Sequence, residues 1–167
     1  MTSPDSTQIQ PIALREGEGE ALWFLGGLLT IKASAATTGG RMAVIENLAA
    51  EGPASPLHVH RNENEWFYVL EGELTFWVGG TVIVAPKGSF VFAPLGIPHT
   101  FSVTSPQARF LLGTDPAGFE DFTRTVGEPA KSPTLPPPPD GPPDFPRLTA
   151  IAAEYGIEIL GPPGIPD

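Results

Sequence analysis

Short hydrophobic segments separated by turn-forming residues dominate the middle of the chain. Between residues 21 and 114, stretches rich in Val, Ile, Leu and Phe alternate with Gly, Pro and Asn, a pattern typical of an all-β barrel or sandwich. Gly79-Gly80 lies between two such stretches and predicts a tight hairpin, because glycine accepts the positive φ angles that these turns require. The predicted strands are 21–25, 28–33, 41–48, 57–60, 65–70, 73–78, 81–85, 89–93, 99–104 and 108–113.

Helical signals appear only after residue 114. Asp115-Pro116 offers an N-cap followed by a proline at the first helical position, and Gly127 offers an end. Within this predicted helix Phe119 and Phe122 lie three residues apart, so both can contact the barrel from one helix face.

The remaining C-terminal residues are rich in proline. Nine of the eighteen residues in 129–146 are Pro, which predicts an extended strap along the barrel surface. A docking peptide for a proline-recognising domain is the alternative. Residues 147–155 form a short amphipathic helix at most. The predicted organisation is an N-terminal arm (1–19), a barrel (20–114), and a C-terminal helix and Pro-rich extension packed on the barrel (115–167).

Composition narrows the classes of function. The 167 residues are enough for one domain, and a net charge of −10 argues against nucleic acid, whose phosphates require clustered Lys and Arg. The absence of cysteine excludes disulfides, thiolate metal sites and cysteine nucleophiles. Neither a signal peptide nor an apolar run of membrane-spanning length is present. These features predict a cytoplasmic protein with no membrane partner.

The three histidines of the chain and one glutamate form a candidate metal site. His58 and His60 are two residues apart in a predicted strand, so their side chains share a face. Turn-forming residues follow, and an antiparallel return would bring Glu65 beside them. His99 begins a later strand after a proline-rich turn. Three imidazoles and one carboxylate suit Fe, Mn, Co, Ni, Cu or Zn and leave positions open for substrate.

A purely structural interpretation of these residues has to be weighed. A single histidine in a strand is usually a partly buried polar residue, and Glu65 alone reads as a surface charge. Glu63 competes with Glu65 as a ligand, but its place in the turn favours solvent. The placement of all three histidines within two segments framed by Gly and Pro favours the metal site.

The same two segments resemble the paired motifs of the cupin superfamily. Residues 52–72 resemble the first motif, which runs glycine, five residues, His-x-His, three or four residues, Glu, six residues, glycine. Residues 88–99 resemble the second motif, which runs glycine, five residues, Pro-x-Gly, two residues, His. The resemblance implies a double-stranded β-helix, the cupin jelly-roll barrel. The metal ligands that it implies are His58, His60, Glu65 and His99.

One position departs from the second motif. Val103 stands where cupins usually carry Asn, four residues after the histidine. Strand alternation places Phe101 and Val103 on the same face as His99, and Phe67 on the same face as Glu65. An apolar interior beside the metal would suit a flat aromatic substrate, with Met42 as a further contact if its strand turns that face inward. The alternative is that these residues only fill the barrel.

Features outside the motifs resemble single-domain, quercetin 2,3-dioxygenase-like cupins of bacteria; they lie at 26–31, 51–53 and 115–122. This resemblance implies one divalent transition metal, with Fe, Mn, Ni or Co favoured over Zn or Cu. It implies cleavage of a flavonol-like 3-hydroxy-4-keto substrate with O2, loss of carbon monoxide, and Glu65 as both ligand and catalytic base. It also implies a homodimer.

Two other classes of function share the predicted site. One is a different metal-dependent cupin enzyme of secondary metabolism, such as a cyclase, isomerase or lyase. The other is a non-enzymatic cupin that binds a small molecule. Metal-dependent oxygen uptake on a flavonol separates both from the dioxygenase, because neither consumes oxygen on that substrate.

Overall fold

The computed structural model describes residues 9–167; residues 1–8 of the predicted arm lie outside this range. No helix within residues 9–167 is long and apolar enough to cross a membrane. The elements in chain order are β1 (Glu20–Phe24), β2 (Gly27–Ala33), α1 (Ala35–Thr38), β3 (Ala43–Pro53), β4 (Pro56–His60), β5 (Asn64–Glu71), β6 (Glu73–Val78), β7 (Thr81–Pro86), β8 (Phe90–Ala93), β9 (His99–Asp115), α2 (Phe119–Val126), β10 (Glu128–Pro129), α3 (Phe145–Glu154) and β11 (Ile157–Pro163).

The long strand β9 organises the antiparallel sheet. It pairs with β3 from Ala43–Thr114 to Pro53–Ser102, while its first half also pairs with β6 and its second half with β5. One path through the sheet runs β10-β1-β2-β3-β9-β4-β11, and β8 and β7 flank β5 and β6. This arrangement confirms the predicted all-β jelly-roll barrel. Gly79 and Gly80 both have positive φ, 54° and 93°, as the predicted hairpin requires.

Strand register sets which side chains share a level inside the barrel. Residues that are paired across antiparallel strands project from the same face, and alternate residues of each strand return to that face. Three successive inward rows cross β5, β9 and β3: Glu65–Thr114–Ala43, Phe67–Leu112–Ile45 and Val69–Phe110–Asn47. Every member of these rows is buried. The first row carries a candidate ligand, and the other two extend away from it along the barrel.

β9 replaces the two separate strands predicted at 99–104 and 108–113. The prediction ended the first strand at residue 104, two residues before Pro106, and a proline cannot donate a ladder hydrogen bond. In the structure the pairing with β3 shifts register between Ala50–Gln107 and Gly52–Val103. The residues between Val103 and Gln107, including Pro106, have no partner in this ladder with β3. The strand therefore continues through the proline without losing a hydrogen bond at that position.

The helix α2 begins later than predicted, and the proposed N-cap at Asp115 is wrong. Asp115 is the last residue of β9 and pairs with Asn64, so the helix starts at Phe119 with Gly118 as its N-cap. The predicted contact with the barrel is confirmed, since Phe119 and Phe122 are buried in the main hydrophobic core.

The C-terminal residues add a strand that the sequence did not predict. β11 pairs with β4, with Ile157 opposite His60 and Ile159 opposite His58. Gly161 and two prolines argue against a strand, but β11 pairs only with β4, and prolines are tolerated in such edge strands. The ladder therefore ties the end of the chain to the strand that carries two candidate ligands.

A buried carboxylate anchors α2 beside the site. Glu120 is fully buried and accepts hydrogen bonds from the backbone N–H groups of Ala35, at 2.6 Å, and Gly118, at 2.8 Å.

We expect Glu120→Gln to lower the free energy of unfolding by about 2 kcal/mol, because one N–H then faces an amide donor. Urea denaturation measures this change. Asp121→Asn, at the exposed neighbour, is the control and should change stability by less than about 0.5 kcal/mol; equal effects of the two variants would contradict the anchoring role.

Candidate metal centre

Three strands bring four donor side chains to one point in the barrel interior. His58 and His60 project from β4, Glu65 from the first row of β5, and His99 from the start of β9, where it pairs with His58. All four residues are buried, and one ligand atom of each lies within 4.8 Å of the others. Oε2 of Glu65 is 2.7 Å from Nε2 of His99, 3.3 Å from Nε2 of His60 and 3.9 Å from Nε2 of His58.

Each imidazole is oriented through its other nitrogen. Nδ1 of His58 donates to the carbonyl of Pro56 at 2.8 Å, and Nδ1 of His99 donates to the carbonyl of Ile97 at 3.0 Å. Nδ1 of His60 is 2.6 Å from a carboxylate oxygen of Glu63. These bonds fix the ring tautomers, so the lone pair of every Nε2 faces the common centre.

The donor set requires a positive charge at its centre. Nε2 of His58 and Nε2 of His60 are 3.1 Å apart, and with both Nδ1 atoms already donating, two bare lone pairs would face each other beside a carboxylate. Either a proton or a metal cation resolves this conflict. Three imidazole nitrogens and one carboxylate oxygen are a donor set for first-row divalent metals. The residues present therefore fit a metal ion.

The ionisation of the cluster agrees with this requirement. Burial lowers the pKa of His60, but the carboxylates of Glu65 and Glu63 outweigh burial and raise that pKa to about 9. Burial raises the pKa of Glu65, but the charge of His60 and the close approach of all three imidazoles hold that pKa well below its usual range. The metal-free cluster thus keeps a proton on His60, which a bound metal would displace.

The predicted solvent exposure of Glu63 is wrong. Its position in the turn predicted a solvent-exposed side chain, whereas the structure leaves it only 4% exposed. The short turn after β4 folds the carboxylate back onto His60 three residues earlier. Glu63 is therefore a buried partner of a candidate ligand, and the spacing of three residues within a turn is the signal that could have revealed it.

A cavity of about 250 Å³ lies against the metal centre. His58 and Glu65 contribute to its wall, and most of the remaining wall is apolar. Residues of α2, α3 and β11 close one side, including Phe119, whose ring lies 5.5 Å from that of His60. The most exposed residues of the wall belong to the β1–β2 turn and the end of β3, which marks the opening there.

The predicted substrate contacts occupy different places. Phe101 lines the cavity, 7% exposed. Phe67 and Val103 face inward as strand alternation predicted, but they belong to the packed core and do not line the cavity. Met42 lies one residue before β3, is 44% exposed and is likewise absent from the cavity wall.

The cavity wall also contains a residue that the sequence analysis passed over. Asn47, in the third inward row, is 7% exposed and lines the cavity. The alternation of β3, which places it on the face of Ile45, is the sequence signal that could have found it. Ile157 and Ile159 were missed because β11 was not predicted as a strand.

The chain resembles known proteins in sequence as well as in fold. Residues 44–112 match the cupin domain family. A quercetin 2,3-dioxygenase of Bacillus subtilis (strain 168) is 32% identical over 119 residues, which cover 71% of this chain and 35% of that protein. The chain therefore spans about a third of the length of the curated relative that it matches.

Solved structures share the fold at low sequence identity. A predicted oxalate decarboxylase from Thermotoga maritima superposes with a TM-score of 0.57 at 21% identity, covering 63% of this chain and 99% of that chain. An RmlC-like cupin from Shewanella frigidimarina gives a TM-score of 0.55 at 21% identity, covering 69% and 99%. Pac13, a nucleoside dehydratase, gives a TM-score of 0.54 at 14% identity, covering 72% and 92%. At these identities the likeness concerns the fold alone.

Proposed function

We propose that this chain, a member of the cupin superfamily, is a metal-dependent dioxygenase that cleaves a flavonol-like, quercetin-type 3-hydroxy-4-keto substrate with O2. The observation that carries the proposal is the position of the donor cluster at the wall of a mostly apolar cavity. Such a cavity takes a flat aromatic body, while the cluster takes its oxygen atoms. The sequence similarity to the Bacillus subtilis enzyme supports the same reaction class.

His58, His60, Glu65 and His99 would hold one divalent ion, with Fe, Mn, Ni or Co favoured and Zn or Cu as alternatives. When bound, the ion would lower the pKa of the substrate hydroxyl and hold the resulting enolate toward O2. The chain's contribution is to orient three Nε2 atoms through the hydrogen bonds of the opposite ring nitrogens and to bury the Glu65 carboxylate among them. Little reorganisation of these side chains would accompany substrate binding.

Glu65 would accept the proton of the substrate hydroxyl. Its carboxylate is ionised at neutral pH because the surrounding imidazoles hold its pKa well below the usual range. A carboxylate of low pKa is a weak base, so the transfer depends on a hydroxyl that has itself become more acidic. The membership of Glu65 in both the donor cluster and the cavity wall supports this role, because a substrate in the cavity would meet the carboxylate.

The cavity wall would orient the rings and keep water away. Phe101 and Phe110 cross edge to face, with ring centroids 5.5 Å apart, and both line the cavity. Phe119 adds an aromatic face beside His60. An aromatic and mostly apolar wall of this kind suits a flat aromatic body, which can pack against its rings. The chemistry of the wall thus matches the substrate class proposed from the family resemblance.

Metal analysis combined with oxygen uptake tests the proposal. We expect about one redox-capable first-row ion per chain, oxygen consumption on a flavonol panel, and loss of that consumption after chelation. Mass spectrometry of the purified protein and an oxygen electrode measure the two quantities. Zinc alone, or bound metal without uptake on any flavonol, would contradict the dioxygenase and favour another metal-dependent cupin enzyme or a small-molecule-binding cupin.

The homodimer stays a prediction, which sedimentation of the purified protein can test.

A further inference from the structure

Asn47 is a buried polar side chain in an otherwise apolar part of the cavity. Of the buried residues that line the cavity, the polar ones are Asn47 and the two candidate ligands His58 and Glu65. The side chains adjacent to Asn47 in the sheet register, Leu29 and Phe110, are both hydrophobic. An amide at such a position is costly unless its hydrogen bonds are made.

The amide retains hydrogen-bonding capacity toward the cavity. A carboxamide can donate two hydrogen bonds and accept two. Within the described residues the Asn47 side chain makes one, from Nδ2 to the carbonyl of Ile45 at 3.1 Å. By contrast, the hydroxyl of Ser55, also on the wall, contacts both Thr100 and the backbone N–H of Phe101. Asn47 therefore offers a donor and an acceptor to a molecule in the cavity.

Asn47 lies at a distance from the metal centre. Glu65 belongs to the first inward row and Asn47 to the third, and two rows correspond to about 13 Å along a strand. Side chains at the ends of this span would contact opposite ends of a single elongated ligand. The intervening wall is apolar, so the middle of that ligand is expected to be apolar as well.

We infer that Asn47 is a specificity-determining residue that hydrogen-bonds a polar group, most simply a ring hydroxyl, on the end of the substrate remote from the metal-binding oxygens. This inference rests on the proposed function and narrows its substrate class to ring-hydroxylated flavonols. Pockets that hydrogen-bond a substrate hydroxyl discriminate against the analogue that lacks it, because the pocket amide is then left unpaired.

The test uses metal-loaded protein and two kinds of ligand. 3-Hydroxyflavone carries only the metal-binding oxygens, and its analogues carry one further hydroxyl on either ring. We expect wild-type protein to bind one analogue about 10-fold more tightly than 3-hydroxyflavone. Asn47→Leu should remove this preference while leaving 3-hydroxyflavone binding within about 3-fold of wild type. Fluorescence titration gives the Kd values, and oxygen uptake shows whether the preference appears in KM rather than in kcat.

Leu29→Val is the matched control, because it changes the shape of the same part of the wall without changing its polarity. It should alter the affinity for both ligands equally. Wild-type protein that does not discriminate, or Asn47→Leu protein that still does, would overturn the role of Asn47. If Asn47→Leu does not fold, Asn47→Ser takes its place, because its shorter side chain removes the amide with less change in polarity; retained discrimination in Asn47→Ser would likewise overturn the role.

The same data separate this inference from the proposed reaction. Binding with the expected preference but without oxygen uptake would refute the dioxygenase and retain the role of Asn47. Turnover with equal KM values for 3-hydroxyflavone and its ring-hydroxylated analogues would refute only the role of Asn47. Failure of every flavonol to bind would refute both.

Discussion

Replacing Glu65 by Gln is expected to lower kcat by about 100- to 10,000-fold, the range that general-base catalysis contributes. The substitution keeps the size of the side chain but removes the charge that makes it a proton acceptor. Its oxygen lies among the Nε2 atoms of all three histidines, so the amide also weakens metal binding. Activity is therefore compared at equal metal content, checked by mass spectrometry, with oxygen uptake on a flavonol as the measurement.

Glu71→Gln is the control for this experiment. Glu71 ends the same strand and pairs with Arg109 at the surface, so its loss removes the same charge without touching the site. We expect this variant to keep wild-type turnover. Metal-loaded Glu65→Gln protein with undiminished kcat would show that Glu65 is a ligand only, and that another group or the solvent takes the proton.

Only part of the candidate ligand set follows from local relationships. Strand alternation alone places His58 and His60 on one face. The antiparallel return predicted for Glu65 is wrong, because within the described residues β4 pairs with β9 and β11 while β5 pairs with β8 and β9. The position of His99 depends on the pairing of β4 with the start of β9, which is a long-range contact. Here the motif resemblance supplied what local reasoning could not.

The residues that the sequence missed depend on packing rather than on pattern. A turn residue such as Glu63 is normally exposed, and only its close contact with His60 shows that the carboxylate is buried. The strand pairing of Ile157 and Ile159 with β4 overrides the unfavourable propensity of the nearby prolines. Met42 illustrates the reverse error. Ala43 belongs to the first inward row, so strand alternation turns Met42 to the opposite face, where it is 44% exposed.

These missed residues share a location around the candidate centre. β11 contributes apolar side chains to the cavity wall and pairs with the strand that carries His58 and His60. The matched cupin domain region ends at residue 112, so this wall comes from outside it. The four candidate ligands therefore lie within the matched region, whereas one side of the cavity is built by C-terminal residues beyond it.

Removal of the Glu63 carboxylate should weaken metal binding by about 10- to 100-fold. Glu63 accepts the Nδ1 hydrogen bond of His60 at 2.6 Å from a buried position, which fixes the ring orientation and increases the basicity of Nε2. We expect Glu63→Ala to show the full loss. Glu63→Gln should show less, because its amide oxygen can still accept the hydrogen bond. Competition with a chelator at fixed pH measures the Kd for the metal.

Glu158→Ala distinguishes the hydrogen bond from the loss of charge. Glu158 is an exposed carboxylate on β11 that pairs with Arg61, two residues before Glu63, at 2.6 Å. Its removal changes the net charge by the same amount in the same region of the protein but leaves the His60 ring untouched. If Glu158→Ala weakened metal binding as much as Glu63→Ala, local charge would explain the effect, and the orienting role of Glu63 would be wrong. Normal affinity in Glu158→Ala with a graded loss from Glu63→Gln to Glu63→Ala would establish that the hydrogen bond to Nδ1 sets the affinity of the centre.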